Sequence, residues 1–349
     1  MLSGYRKYRF LLALLLPVMP VHGYLAGNNF YTLAVGLVVL ALLDVAIGED
    51  RGNPDARESE VLQESRFHGA ILWTCAAADL ALIVWGASVV GTLSAVQALG
   101  LMLSVGFVTG AQGITVAHEL GHSRSDAERV LARVLLTAVA YGHFHIEHNR
   151  GHHVRAATPE DPASARAGQS FYAFYPRAVA RGWLHAWWLE RERLGRRGLP
   201  FWHWRNQMLW FTAVPPLVML ALGLAWGPLA VVFFAVQAWL AFTLLEAVNY
   251  VQHYGLSRRL MANGAYEKVV RAHAWNAPEA VSNIFLIHLA RHSDHHENPW
   301  RRYPALQHYE DSPRLPTGYP GMLLLALAPP LWFLVMNPRL PAVPASVPP

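Results

Sequence analysis

Nine histidines occupy four short polar strings of an otherwise apolar chain: His118 and His122; His148, His152 and His153; His253; and His292, His295 and His296. Neutral imidazole is the commonest protein ligand for first-row transition metals. One ion uses roughly four to six positions, so nine ring nitrogens make a ligand set for two metal ions. The nitrogen count suffices without a bridging carboxylate. The chain has 18 histidines, and half of them fall in these strings at spacings that a helix can use.

Spacing says which rings converge. His118 and His122 are four residues apart and share a helix face. The offsets 0, +3 and +4 of His292, His295 and His296 fit an arc of about 100 degrees on a helix. His148, His152 and His153 stand at 0, +4 and +5, so an α-helix turns His153 about 100 degrees from His152 and one string can serve both metals. His253 adds a ligand from Asn249-Tyr250-Val251-Gln252-His253. The metal expected is iron. Zinc prefers four ligands and its structural sites favour thiolates, while two copper ions are the minor alternative. Glu119, Glu147, Asp161 and Asp294 neighbour the ligands in sequence and are candidates to orient imidazoles from behind; otherwise they are solvated loop acids. His118-Glu119-Leu120-Gly121-His122 also matches the HExxH of zinc metalloproteases, in which the glutamate is general base. That mechanism needs one further ligand and leaves the other strings unexplained.

The elements that must position these rings read as membrane helices. Of 349 residues, 54% are hydrophobic and 15% charged, and the mean hydropathy is +0.22. Apolar runs at 10–27, 30–47, 70–90, 92–117, 209–226 and 228–247 each approach the roughly 20 residues that cross a bilayer, predicting an all-α integral membrane protein with a six-helix transmembrane bundle. A shorter run at 319–336 is interrupted by Pro329 and Pro330 and is expected to pack at the interface or against the bundle. No small-residue cleavage site follows the first run, so it is read as a span and not as a signal peptide. All 28 Lys and Arg lie within residues 1–9, 48–69 and 118–208 or after 247, none near Gly27, Gly91 or Trp226. Both termini and every histidine string are therefore expected on the cytoplasmic side. The net charge of +5 is explained by that asymmetry and no nucleic-acid motif accompanies it. Cys75 is the lone cysteine, so the chain cannot build a thiolate iron site and electrons must come from another protein. With 26 Arg against 2 Lys, the composition suggests a bacterium with a GC-rich genome. We expect one domain, 1–337: a membrane part, 1–117 and 209–247, beneath a cytoplasmic histidine-rich cap formed by 118–208 and 248–337. Residues 154–170 read as loop, 171–199 as an interfacial helix, and the Pro-rich tail 338–349 as disordered.

At these strings the chain resembles the membrane-bound alkane 1-monooxygenase family, within the histidine-box membrane desaturases and hydroxylases. The matching stretches are HELGHS at 118–123, EHNRGHHVRAATPEDPASAR at 147–166, NYVQHYGL at 249–256, ARHSDHHENP at 290–299 and LDVAIGEDRGNP at 43–54. Desaturases usually place the first histidine of the second box two residues before the HH pair; here three residues separate His148 from His152. The resemblance implies a di-iron, non-haem centre that hydroxylates the terminal carbon of an n-alkane with O2. It also implies electrons from a rubredoxin-like carrier and its reductase, and a bacterial inner-membrane location. Arg191, Arg193, Arg196 and Arg197, or Arg301 and Arg302, are candidates to dock an acidic carrier or to meet lipid headgroups. Fatty-acyl desaturation, aryl-methyl hydroxylation of the xylene type, and non-catalytic metal carriage are the other readings. His145 and His288 stand where the family often has Tyr and Asn, and with His143 are expected to be structural or supporting. His22 is expected to face the bundle, and Asp44, Asp79 and Glu246 to need partners.

Overall fold

The computed structural model describes residues 7–341, and no β-strand occurs among them; the tail beyond Pro341 lies outside the described residues. The first apolar run is broken at Pro17 into a 3-10 segment, Arg9–Leu15, and the helix α1, Val18–Leu25. His22 is exposed on α1 with its ring 4.9 Å from that of Tyr31, so it does not face the bundle interior. The second run is α2, Tyr31–Ile47, whose 17 residues sit at the short end of bilayer-crossing lengths. Four helices are long and apolar enough to span: α3, Arg66–Thr92; α4, Ala95–Gly121; then, after the amphipathic α5, Asp126–Ala138, and the polar α6, Phe171–Gly195, the pair α7, Gln207–Trp226, and α8, Pro228–His253. The chain ends in three short helices: α9, His292–Glu297; α10, Tyr319–Ala326; and α11, Pro329–Met336.

Boundaries follow local chemistry. The side chains of Ser65, Ser94, Ser125, Ser170 and Asn206 each accept a backbone N–H in the first turn of the helix they precede. Gly227, at φ 84°, makes the sharp link between α7 and α8, and Pro228 opens α8 where its missing N–H costs nothing.

The bundle closes on α4 and α8. Gly106 and Gly110 lie one turn apart on α4, and a Cβ on Gly110 would stand 2.8 Å from Ala241 Cα, one on Gly106 2.8 Å from the Gln237 carbonyl. The two backbones therefore touch, as small residues permit in helix pairs within lipid. Polar groups buried here are mostly paired. Thr109 Oγ1 donates to Gln237 Oε1, Tyr141 donates to Glu246 at 2.7 Å, and Asp44 accepts from the Ser282 backbone N–H at 2.8 Å. Asp79 is the charged exception among the acids named for these segments: neither oxygen has a hydrogen-bond partner, and Gly113 packs against it.

One segment departs from the expected cap. Gln237 Nε2 donates to the Ala138 carbonyl at 3.0 Å, and Gln237 lies 16 residues before His253, about 24 Å down the α8 axis. The foot of α5 thus sits deep beside α8, and residues 139–143 climb back to the histidine level. Within 118–208 the chain dips between the long helices and returns, its turn closed by Tyr141 N–H donating to Leu136 O at 2.8 Å. The 319–336 run bends at its prolines as expected and packs on α8, with Trp332 4.9 Å from Tyr250.

Gly110→Leu should force α4 and α8 apart at the point where the metal-side ends must stay aligned. We expect a loss of roughly 1–3 kcal/mol, read as a lower unfolding temperature in detergent. Unchanged stability would show that the contact is dispensable.

Candidate metal centre

The nine histidine rings come together at one end of the bundle. His118 is carried by the last turn of α4 and His122 caps it. His253 ends α8, and α9 sets His292, His295 and His296 on one face. The second string is not α-helical. Residues His148–His152 form a π turn in which the His153 N–H donates to the His148 carbonyl, so positions five apart become neighbours. The turn needs Gly151, since a Cβ there would collide with the Glu147 carboxyl.

Two groups result. His118, His122, His148, His153 and His295 offer five nitrogens within 4.8 Å of one another, and His152, His253, His292 and His296 offer four. The second group is fully buried; in the first, His118, His122 and His153 are partly accessible. Nε2 faces Nε2 at 3.0 Å between His122 and His148 and between His148 and His153, and at 3.1 Å between His153 and His295. In the other group the pairs are His292 with His296 at 2.9 Å, His253 with His292 at 3.1 Å and His152 with His296 at 3.2 Å. Two nitrogens each about 2.1 Å from one ion at right angles stand about 3.0 Å apart, so the spacing fits metal ligation. His118 Nε2 is buried with no hydrogen-bond partner, and a lone pair in that state is suited to a cation.

Burial, then the neighbouring imidazoles, hold His148, His153, His292, His295 and His296 well below the usual histidine range, so these rings are neutral and present lone pairs. His152 differs. Burial lowers it, but the Asp161 carboxylate more than offsets that and raises it; His152 Nδ1 donates to Asp161 Oδ2 at 2.9 Å, which directs Nε2 at the group. Ser164 donates to the same carboxylate at 2.6 Å.

The other three acids are engaged elsewhere. Glu119 accepts from the Tyr303 N–H at 3.0 Å, Glu147 from His185 Nδ1 at 2.7 Å, and Asp294 from Arg301 at 2.6 Å. Among the extra imidazoles, His288 accepts from Arg9 at 2.8 Å and donates to the Tyr303 carbonyl at 2.9 Å, pinning the turn before α9. That turn holds Ile287 and His288 at φ 44° and 59°, conformations that β-branched and ring residues adopt only when packing compels them. His143 meets the Tyr141 ring edge to face at 4.2 Å, and His145 lies behind Gly121.

The role of the 43–54 stretch and of Arg291 was not evident from sequence. Arg291 is fully buried beside α9 and donates to the carbonyls of Leu306, Asp50 and Gly52. Asn53 accepts from the His308 N–H at 2.7 Å and donates to the His308 carbonyl at 2.8 Å. Residues 50–53 thus form a strap over α9, anchored by one guanidinium in the manner of a residue that must satisfy several carbonyls at once.

Two openings reach the rings. A narrow apolar cavity runs down between α2, α4 and α8 from His118, His148 and His292 to Gly36 and Phe107. On the other side a polar recess lined by Glu119, His122, Arg124, Trp300, Arg301 and Arg302 leads from the surface to the first group.

Comparisons with known proteins agree on one family. The profile described as fatty acid desaturase matches residues 92–325. Alkane 1-monooxygenase 2 of Pseudomonas aeruginosa is 46% identical over 87% of this chain and 82% of its own length. Alkane 1-monooxygenase 1 of the same organism is 43% identical over 97% of this chain and 91% of its own. The hydroxylase component of the xylene/toluene monooxygenase of Pseudomonas putida is 31% identical over 70% of this chain and 65% of its own.

Glu190 on α6 braces the second string from outside. Its fully buried carboxylate accepts from Arg150 within the π turn at 2.9 Å, from Arg193 at 2.6 Å and from the Gln207 N–H that opens α7 at 2.8 Å. Burial pushes the carboxyl up, but these donors, Arg193 foremost, leave it below the usual glutamate range. Its contribution is therefore present above that range and lost as pH falls through the lowered value. Glu190→Gln should cost roughly 1–3 kcal/mol at pH 7 and flatten the acid limb of the stability profile. An acid limb identical to that of the parent protein would remove Glu190 from this role.

Proposed function

The chain belongs to the alkane 1-monooxygenases within the fatty acid desaturase family, and from that premise we propose that its nine histidines hold two iron ions and that the apolar cavity beneath them receives an n-alkane. The enzyme hydroxylates the terminal carbon of its alkane with O2. The observation that carries the reading is the convergence of both histidine groups on the blind end of that cavity, at His118, His148 and His292. A methyl terminus is the one part of an unbranched chain that can lead into a narrow dead end, so the shape favours the terminal carbon over internal ones.

The bound iron supplies the electron and dioxygen chemistry that side chains lack. The protein supplies the rest. His118, His122, His148, His153 and His295 hold one ion, and His152, His253, His292 and His296 the other. Asp161 would fix the His152 ring, and neutral imidazoles in place of thiolates would leave the ions' positive charge uncompensated. The cavity walls exclude water: Leu40, Phe107, Leu244 and Phe285 present only hydrocarbon to the substrate. From Phe107 to His118 is 11 residues of α4, about 17 Å of wall along which an extended chain is held straight.

Hydroxylation with reduction of the second oxygen atom to water consumes two electrons and two protons. We assign electron delivery to a rubredoxin-like carrier docking over the polar recess at His122. Arg301 and Arg302 there are already paired with Asp294 and Glu128, while Arg124 and the exposed Trp300, whose ring the Arg301 guanidinium overlies at 5.6 Å, stand at the rim. In the membrane, α3, α4, α7 and α8 cross fully. The Arg9–Leu15 segment with α1, and α2, make two further crossings, for six in one domain, 1–337, with both termini and the metal centre on the cytoplasmic side of the bacterial inner membrane. The alkane reading is preferred to aryl-methyl hydroxylation because the alkane relatives are more similar over more of the chain.

His153→Ala removes one nitrogen of the five-membered group. Bound iron should fall from about two ions per chain toward one, and alcohol formation from n-alkanes by at least roughly a hundredfold; two retained ions with full activity would overturn the ligand assignment. Phe107 closes the far end of the cavity against Gly36. Phe107→Ala should shift the kcat/KM ratio toward longer alkanes by roughly tenfold or more, and an unchanged ratio across a chain-length series would place the substrate elsewhere.

A further inference from the structure

A second apolar groove, of about 500 Å³, lies on the outside of the bundle between α3, α5 and α7, floored by Phe234 of α8. It shares no lining residue with the cavity beneath the histidines. Its walls are two helical stripes: Val130, Val134 and Thr137 on α5, and Trp210, Val214 and Val218 on α7. Val134 and Trp210 are 44% and 55% exposed, so this surface is open to whatever surrounds the helices.

The groove's surface is almost wholly apolar, with few polar side chains along its lining. Arg133 and Gln207 stand at its mouth, at the histidine end. Arg133 lies five residues above the deep foot of α5, and its side chain leans toward the start of that helix and the mouth, as helical side chains do. Its Nε donates to the Arg129 carbonyl at 3.1 Å, and no carboxylate among the described residues lies within ion-pair distance of it. Its neighbour Arg129 is paired with Asp126, which leaves Arg133 as a fixed positive charge over an apolar slot. Beside it, Gln207 Oε1 is buried with no donor.

We propose that this groove is a binding site for one membrane phospholipid, with an acyl chain along the slot and the phosphate on Arg133. Charge complementarity selects the occupant: an alkane offers nothing to a guanidinium, and a phosphodiester does. The headgroup's own N–H or O–H matches the unpartnered Gln207 oxygen. Length agrees as well. From Gln207 to Leu222 the α7 wall runs 15 residues, about 22 Å, which exceeds the roughly 15 Å depth of one hydrocarbon leaflet. The lipid fills the wedge that the returning α5 opens between α3 and α7. The inference rests on the membrane assignment but not on the metal centre.

The test uses the full-length protein purified in detergent, with bound phospholipid measured by mass spectrometry and iron measured on the same samples. The parent protein should keep about one phospholipid per chain through detergent exchange, and added phosphatidylglycerol or phosphatidylethanolamine should raise its unfolding temperature. Arg133→Gln should weaken that binding roughly tenfold, and Val218→Trp, which fills the slot from the opposite wall, should abolish it, both with iron unchanged. Arg181→Gln, on the exposed face of α6, should bind as the parent does. Equal phospholipid retention in the parent protein, Arg133→Gln and Val218→Trp would overturn the proposal, as would retention of hydrocarbon alone. Loss of iron in the parent preparation with lipid retained would instead count against the metal reading and leave this one standing.

Discussion

Nine imidazoles packed with their lone pairs facing repel one another, and the rest of the fold can be understood as what opposes that repulsion. Burial keeps most of the rings neutral but offers them no attraction. What holds them is the stiffness of their mounts: the end of α4, the end of α8, a π turn and one short helix. Two of these mounts, the π turn and the short helix, are braced from behind by charged groups with several partners. Asp161 fixes His152, Glu190 ties the π turn to α6 and α7 through Arg150, and Arg291 binds three carbonyls around α9. Removing one ring changes the chemistry, whereas removing a brace changes where several rings point.

That the nine rings gather, and that the second string divides between two groups, was legible in the sequence; which rings fall in each group was not. Spacings of three and four residues announce a shared face, and nine imidazoles recurring in that way on an apolar chain are costly to bury unless a cation gathers them. The division into five and four depends on the π turn at His148–His152, which brings His153 round to His148 and leaves His152 with the other group. One inserted residue in a helical turn leaves no compositional trace, and only Gly151 hints at it. The acids show the same limit. Four lie near ligands in sequence, yet only Asp161 touches one, because a neighbour in sequence on a helix points about 100 degrees away.

The membrane helices were legible by length where the apolar run is unbroken, as in α3, α4, α7 and α8. The first run was read as one span, whereas Pro17 splits it into a 3-10 segment and α1. The descent of α5 was hidden for a different reason. Its arginines and glutamate give the pattern of a surface helix, and nothing local reveals that its apolar side lies along α3 and α7 while its foot meets Gln237. The Gly106 and Gly110 pair lies where α4 and α8 touch.

Each histidine group draws one or more members from α9, near the end of the chain, and the others from residues as early as 118. Synthesis proceeds from the N-terminus, and early segments fold while later ones are still being made. The first group is therefore not whole until residue 295 has emerged and the second not until residue 296, by which time all the long helices have been translated. The gene itself thus orders translation of the long helices before the gathering of the rings, and a ribosome that stalls between the end of α8 and residue 292 leaves a bundle lacking the rings that complete both histidine groups.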